Sequence, residues 1–300
     1  MKNFVVLTDT SSDLARETRE KYDIEYIPMH ICFEDRDIFA SLDWEEISAP
    51  DFYNKMREGT RITTAQISAL EYTEYFEKKL SAGMDILYLA CAEPLSASIK
   101  TCRTLKDSLI AKYPERKIYI IDSCAGSMSL GLLCIKASLL RDEGKTIDEC
   151  AEWIEKNKAN FNMEATVEKL VYLKQAGRVS AASAFFGGLL NIKPIIISDV
   201  CGRNVAIEKV KGRKNSMARL TERFFERYIP SDLPIFILHA NCLEEAEELK
   251  KTISERLENK DTEINIIYFG PLVGASAGPG TLCVCFYGQE VTFDAEKPNG

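Results

Sequence analysis

Hydroxyl side chains in this sequence gather just after, or between, short apolar runs. Thr8, Thr10, Ser11 and Ser12 follow residues 4–7. Thr63 and Thr64 precede a helix opening at Ser68. Ser96 and Ser98 follow residues 85–91, and Ser123 and Ser127 follow residues 117–121. A hydroxyl both donates and accepts hydrogen bonds, and N–H groups at helix N-termini add positive partial charge. Such a rim suits a carboxylate or a phosphate and needs no catalytic step. N-capping explains any one of these residues, but it explains four hydroxyl-bearing loops on one edge less completely.

The signatures of common catalysts are missing. There is no G-x-G-x-x-G after a strand, no P-loop and no H-E-x-x-H. Ser127-Met128-Ser129-Leu130-Gly131 comes nearest to a nucleophile elbow but lacks its first glycine. A Ser-His-Asp triad would have to use His30 or His239, the only two histidines, and His239 ends the strand expected over 234–239. Arg178 sits between Gly177 and Val179 just past an expected helix end, where a cation suits the helix dipole. Residues 270–280 are the most glycine-rich stretch and are expected to form a loop that closely approaches a ligand or partner. Residues 180–190 (SAASAFFGGLL) are small and apolar, and read as a helix that either walls a greasy channel or packs closely. The ten cysteines contain no C-x-x-C pair. Cys283 and Cys285, flanking Val284, are expected to point to opposite faces of a strand, and the set reads as buried free thiols in a reducing compartment. No metal ligand set is expected.

The elements that must position these groups alternate in the first half. Strands are expected over 4–7, 85–91 and 117–121, and helices from the hydroxyl-rich turn to 21, over 51–58, 68–80, 96–112, 127–143 and 147–157, with extended chain over 24–33. Ser68-Ala69-Leu70-Glu71 is a capping box. This alternation predicts right-handed βαβ units on a parallel sheet, whose carboxyl edge collects the hydroxyl loops. Past residue 160 the texture changes: helices are expected over 167–175, 215–228 and 243–259, and strands over 192–198, 203–209, 234–239, 264–269 and 281–287. The tail 289–300 reads as polar and frayed. The expected fold is therefore α/β with two domains: residues 1–160 form a parallel-sheet domain carrying the hydroxyl-rich site, and residues 161–300 a domain with a mixed or antiparallel sheet. No internal repeat is visible.

Composition narrows the function classes. The chain has 300 residues, 46% of them hydrophobic, and 38 basic against 46 acidic residues give a net charge of −8. That balance argues against general nucleic-acid affinity and against docking on anionic lipid. No apolar run is long enough to span a membrane, and the N-terminus reads as a first strand rather than a signal peptide, so a cytoplasmic protein without stable membrane insertion is expected.

The motifs together resemble the DegV family, bacterial fatty-acid-binding carriers that serve a fatty acid kinase. Thr8-Asp9-Thr10-Ser11-Ser12-Asp13-Leu14 resembles T-D-S-x-x-D-L. Thr64-Ala65-Gln66-Ile67-Ser68 stands where T-S-Q-P-S is usual, and Leu95-Ser96-Ala97-Ser98 where L-S-G-T is usual. Ile121-Asp122-Ser123 is similar to the third strand-top motif, and Gly177-Arg178-Val179 followed by Ile192-Lys193-Pro194-Ile195 to G-R-I…I-K-P-I. Residues 270–280 look like G-P-x-x-G-x-H-x-G-P-G, with Ser276 in place of the histidine.

The resemblance implies a carrier rather than an enzyme, with no cofactor beyond the bound long-chain fatty acid. The acyl chain would lie between the two domains, with its carboxylate held by Thr64 and Ser96, assisted by Ser98 and Ser276. Thr10, Ser123 and Gly274 would be further rim positions. Arg178 would lie at the mouth, where a separate fatty acid kinase phosphorylates the carboxylate to an acyl phosphate. Ala65, Ile67, Ala97 and Ser276 depart from the family pattern, and Ser276 brings no positive charge. Two alternatives from other classes stand beside this reading: a serine-dependent acyl hydrolase using Ser96 or Ser98 with His239, and a sensor or storage module for another anionic metabolite.

Overall fold

The computed structural model describes residues 3–180 and 191–297. The expected helix over 180–190 falls almost wholly outside them.

The first unit runs β1 (Phe4–Asp9), a single 3-10 turn (Thr10–Ser12), α1 (Arg16–Tyr22), β2 (Ile24–Ile27), β3 (His30–Cys32), β4 (Asp37–Phe39), α2 (Ala49–Arg57), β5 (Thr63–Ala65), α3 (Ala69–Ser81), β6 (Asp85–Ala90), α4 (Ser98–Lys112), β7 (Ile118–Asp122), α5 (Ser127–Asp142) and α6 (Ile147–Asn157). Its main sheet is parallel, in the order β2-β1-β6-β7, with Leu7 opposite Tyr88 and Tyr88 opposite Ile120. The order reverses between β1 and β6, so a crevice opens beyond their carboxyl ends. The three-residue strands β3, β4 and β5 form a small antiparallel sheet; β3 lies within the extended chain expected over 24–33, and β4 and β5 lie outside every expected strand. Strands so short carry too little alternation to read.

The second unit runs β8 (Phe161–Thr166), α7 (Leu170–Ala176), β9 (Val179–Ser180), β10 (Ile192–Ser198), β11 (Asn204–Lys211), α8 (Arg213–Arg227), β12 (Ile235–His239), α9 (Leu243–Arg256), β13 (Ile264–Tyr268), α10 (Pro271–Ala277) and β14 (Leu282–Tyr287). Its sheet is mixed, in the order β13-β12-β14-β8-β10-β11-β9. The β12–β13 and β11–β9 pairs are parallel and the others antiparallel.

Helix α5 joins the two units. It is apolar nearly all round (SMSLGLLCIKASLLRD) and buried along almost its whole length, as such a helix must be. It touches β1 and β6 on one side and β8 and β14 on the other. One apolar cluster therefore runs from Leu7 through Leu130 and Leu133 to Phe161 and Cys285. Gly131 makes the close approach possible, because a Cβ there would lie 2.8 Å from the Ser12 carbonyl oxygen. A second cluster, including Leu220, Phe224, Leu249 and Phe286, fills the space between the mixed sheet and α8 and α9.

Several expectations need correction. Residues 161–166 form β8 in the middle of the mixed sheet, and the helix expected from 167 starts at Leu170. The stretch 270–280 is not all loop: Gly270 caps α10, Pro271 starts it, and Gly278 at φ 81° ends it. The tail is tethered through residue 295. Val291 N–H donates to the Ala159 carbonyl (2.8 Å), Phe293 accepts from Val200 N–H (2.9 Å), and Ala295 N–H bonds Asp199 (3.2 Å). Cys283 and Cys285 share a face, as residues two apart on a strand do, and their Sγ atoms lie 3.6 Å apart in the core.

Candidate functional site

A cavity of about 430 Å³ lies where the carboxyl edge of the parallel sheet meets the mixed sheet. Its volume falls within the range of small-molecule sites. Met163, Ala165 and Ile196 from the mixed sheet, Leu95 from the loop after β6, and Phe269 and Leu272 around the start of α10 give it apolar walls. Four residues singled out in the sequence line it together: Thr64, Ser96, Arg178 and Ser276. The first two and Ser276 are half-buried and Arg178 is exposed, so they mark the opening.

Each comes from a different element. Thr64 is the middle residue of β5, opposite Ile31. Ser96 ends a tight turn in which Leu95 and Ser96 N–H both donate to the Ala92 carbonyl, and its Oγ accepts from Ser98 N–H at 3.3 Å. Arg178 follows Gly177, the left-handed C-cap of α7, and its guanidinium donates to the Ala176 carbonyl and, at 3.5 Å, to that of Leu95. It thus leans toward the loop that carries Ser96. Ser276 sits in α10, whose start is anchored by Gly270 N–H donating to Asp13 Oδ1 (3.0 Å).

The other residues named for the site lie elsewhere. Ser98 turns into the first-unit core, where its Oγ pairs with Tyr72 Oη at 2.8 Å. Thr10 Oγ1 accepts from Met29 N–H (2.9 Å). Ser123 Oγ donates to the carbonyls of Ala90 (2.6 Å) and Ala125 (3.0 Å). Both are fully buried braces of the strand ends. Gly274 is a packing residue: a Cβ there would lie 2.2 Å from Tyr53 Oη, which donates to the Phe269 carbonyl.

Two hydroxyls that the sequence reading noticed but did not assign to the site do line the cavity: Ser11 and Ser127. Each is backed by a buried carboxylate. Ser11 Oγ donates to Asp9 Oδ1 (2.5 Å), and Ser127, at φ 53°, donates to Asp13 Oδ2 (2.6 Å). Burial pushes the Asp13 carboxyl up to about 7, the neighbouring Asp9 adds to this, and the Ser127 and Gly270 donors oppose it. The cavity contacts Met163 and Asn204 were not legible at all, since they depend on which face of a strand meets the other unit.

Neither histidine lines this cavity. His239 is buried at the end of β12, packs on Tyr268 with ring centroids 4.2 Å apart, and accepts from Cys242 N–H at Nδ1. Burial pulls it down to about 4. His30 pairs with Glu71 at 2.8 Å. The hydrolase alternative's His239 therefore does not stand beside Ser96, and no histidine occurs among the described lining residues. Among the described residues no cluster of metal-ligating side chains occurs, and no helix is long and apolar enough to cross a membrane.

The model of the DegV family, described as "Uncharacterised protein, DegV family", matches residues 3–289. The chain belongs to the DegV family. It is 36% identical over 290 residues to a DegV domain-containing protein of Clostridium perfringens, covering 96% of this chain and 99% of that one. Its fold matches the crystal structure of a DegV lipid binding protein from Thermotoga maritima (25% identity, 97% and 100% coverage, TM-score 0.82). It also matches DegV, a fatty acid binding protein from Bacillus subtilis (25% identity, 96% and 100% coverage, TM-score 0.79). Like these, the DegV chain described here has two α/β domains, and its family match spans both sheets and the cavity between them.

Proposed function

We propose that this protein binds a long-chain fatty acid in the cavity between its two sheets. It would present the carboxylate at Thr64, Ser96 and Ser276 to a separate fatty acid kinase, which converts it to an acyl phosphate. One observation carries the reading: an apolar cavity of about 430 Å³ whose opening is ringed by hydroxyls, with a single cation, Arg178, and no acid among the described lining residues. The lipid and fatty acid binding of the Thermotoga and Bacillus relatives supports it. About 14 buried methylenes at ~0.8 kcal/mol each supply roughly 11 kcal/mol before the costs of association. The head group must then be hydrogen-bonded, since an unpaired buried carboxylate is costly. Neutral hydroxyls serve it in either protonation state. Arg178 stands at the opening without an ion-pair partner among the described residues, free to meet the kinase or its nucleotide.

The test begins with solvent extraction and mass spectrometry of the purified protein, then titration of the delipidated protein with a long-chain acid. Hydrogen bonds to a charged group are worth about 1.5–3 kcal/mol, so Thr64→Val and Ser96→Ala should each weaken binding by about 10- to 100-fold. Arg178→Ala should slow acyl-phosphate formation by the kinase while leaving acid affinity unchanged. A protein that carries no lipid and takes up none after delipidation ends the proposal.

A further inference from the structure

The hydroxyls that line the cavity fall into two chemical groups. At the opening, Thr64, Ser96 and Ser276 donate to no acceptor among the described residues, so their hydrogens are available to a ligand. Ser11, Ser127 and Thr281 have theirs engaged. Ser11 Oγ donates to Asp9 Oδ1 (2.5 Å), Ser127 Oγ to Asp13 Oδ2 (2.6 Å), and Thr281 Oγ1 to the carbonyls of Ala277 (2.9 Å) and Gly278 (2.8 Å). These three are buried, whereas the residues at the opening are half-buried.

A hydroxyl whose hydrogen is engaged presents only lone pairs: it accepts and does not donate. At Ser11 and Ser127 the carboxylate behind the hydroxyl polarises its O–H bond and strengthens the oxygen as an acceptor. The carboxylates are held in that role. Asp9 Oδ1 also accepts from Ser11 N–H (2.9 Å), and its Oδ2 from Tyr88 Oη and Cys91 N–H (both 3.1 Å). Asp13 Oδ1 accepts from Gly270 N–H (3.0 Å), which leaves Oδ2 to Ser127. Among the described residues nothing donates to Ser127 Oγ, and only the Cys91 thiol, a weak donor, stands beside Ser11 Oγ. Helix capping does not use either serine: Asp9 caps the 3-10 turn and Gly126 stands at the N-cap of α5. Lone pairs backed by carboxylates repel an anionic head group and do nothing for a methylene. They fit an uncharged donor.

We propose that Ser11 and Ser127 form a second polar station inside the cavity, an acceptor pair that takes the hydroxyl of a hydroxylated acyl chain. The inference rests on the fatty-acid reading above and names a ligand class for that site, the long-chain hydroxy acid. Its two polar groups are sorted by hydrogen-bond sense. The carboxylate needs donors and finds them at Thr64, Ser96 and Ser276. The alcohol donates to the lone pairs of Ser11 and Ser127, while Met29, Met163 and Leu272 receive the methylenes around it. In a cavity lined by apolar groups alone, the buried alcohol would lose its bonds to water without replacement.

The test measures binding to the delipidated full chain at pH 8, where Asp13 is ionised and holds the Ser127 hydrogen. The probes are octadecanoic acid, its positional monohydroxy acids, and the oxo acid that matches each. An oxo acid keeps the length and a polar oxygen but has no hydrogen to donate there. At one position the hydroxy acid should bind about 10-fold more tightly than its oxo partner, and at least as tightly as octadecanoic acid. Ser11→Ala and Ser127→Ala, each alone, should bring that hydroxy-to-oxo ratio close to unity. Ser96→Ala, at the opening, should weaken both partners and leave the ratio as it was. A ratio read on one preparation is insensitive to how much of a variant is folded. Binding of octadecanoic acid with no hydroxy acid favoured over its oxo partner at any position overturns the station and leaves the fatty-acid reading standing. So does a preference that survives in both serine variants. Failure of every one of these acids to bind, octadecanoic acid included, overturns both readings.

Discussion

Replacing Asp13 by Asn should leave the protein's stability less dependent on pH, and the structure sets the size of the effect. Asp13 is buried beneath the cavity, with Oδ2 facing Ser127 Oγ at 2.6 Å and Oδ1 facing Gly270 N–H at 3.0 Å. Desolvation raises its carboxyl from 3.8 to about 7. A group whose pKa is raised on folding contributes stability that is fully present below its unfolded value and is lost as pH rises through the folded value. At about 1.36 kcal/mol for each pH unit, the loss between pH 4 and pH 8 is about 4 kcal/mol. Asparagine keeps the shape, tolerates the left-handed backbone of this position (φ 53°), accepts from Gly270 and donates to Ser127, but never ionises. Urea unfolding of wild type and Asp13→Asn at pH 5, 6, 7 and 8 should therefore show the variant gaining on wild type as pH rises, by about 2.6 kcal/mol between pH 5 and pH 8. Two parallel stability curves, or a variant that gains as pH falls, would refute the argument that burial dominates the two hydrogen bonds.

Gly274→Ala should cost about 1–3 kcal/mol by overpacking, because its Cβ meets Tyr53 Oη at 2.2 Å. Adding Tyr53→Phe should make the double variant more stable than the sum of the two single losses, and strict additivity in denaturant melts would show that the contact is not the cause. His239 should stay neutral through the physiological range, since burial holds it near 4. Its ring proton resonances should be flat from pH 8 to pH 5, and a midpoint above pH 6 would contradict its placement in the core.

What could be read from the sequence was what is local. The Ser68–Glu71 capping box is present in both directions, with bonds of 3.2 and 2.7 Å, because its partners are three residues apart. The helix expected over 127–143 is found at Ser127–Asp142. By contrast, β8 was hidden because Asn162 and Glu164 look like surface residues. Both are buried by partners far along the chain: Arg227 and the Gln289 carbonyl for Asn162, and Arg223, which grips Glu164 at 2.6 and 2.9 Å. The tail looked frayed for the same reason, since its partners at Ala159, Asp199 and Val200 belong to other elements.

The site shows the same limit more sharply. Ser96 and Ser98 are two residues apart with the same side chain, yet one faces the cavity and the other Tyr72. No periodicity separates them, because Ser96 lies in the turn before α4 and Ser98 in its first turn. The grouping of Thr64, Ser96, Arg178 and Ser276 was reached through family motifs, not spacing, and the geometry shows why spacing could not reach it. Ser96 belongs to the crevice where the parallel sheet reverses its strand order, so topology alone directs it there. Thr64 arrives on a three-residue strand, Arg178 on a left-handed helix end, and Ser276 on a helix made from a glycine-rich run. Three of the four positions are thus set by short, weakly patterned segments, held in place by the meeting of two sheets rather than by their own propensity. A change that loosens that meeting, such as forcing a methyl group against Tyr53 at Gly274, should disturb the head-group site before it disturbs either sheet.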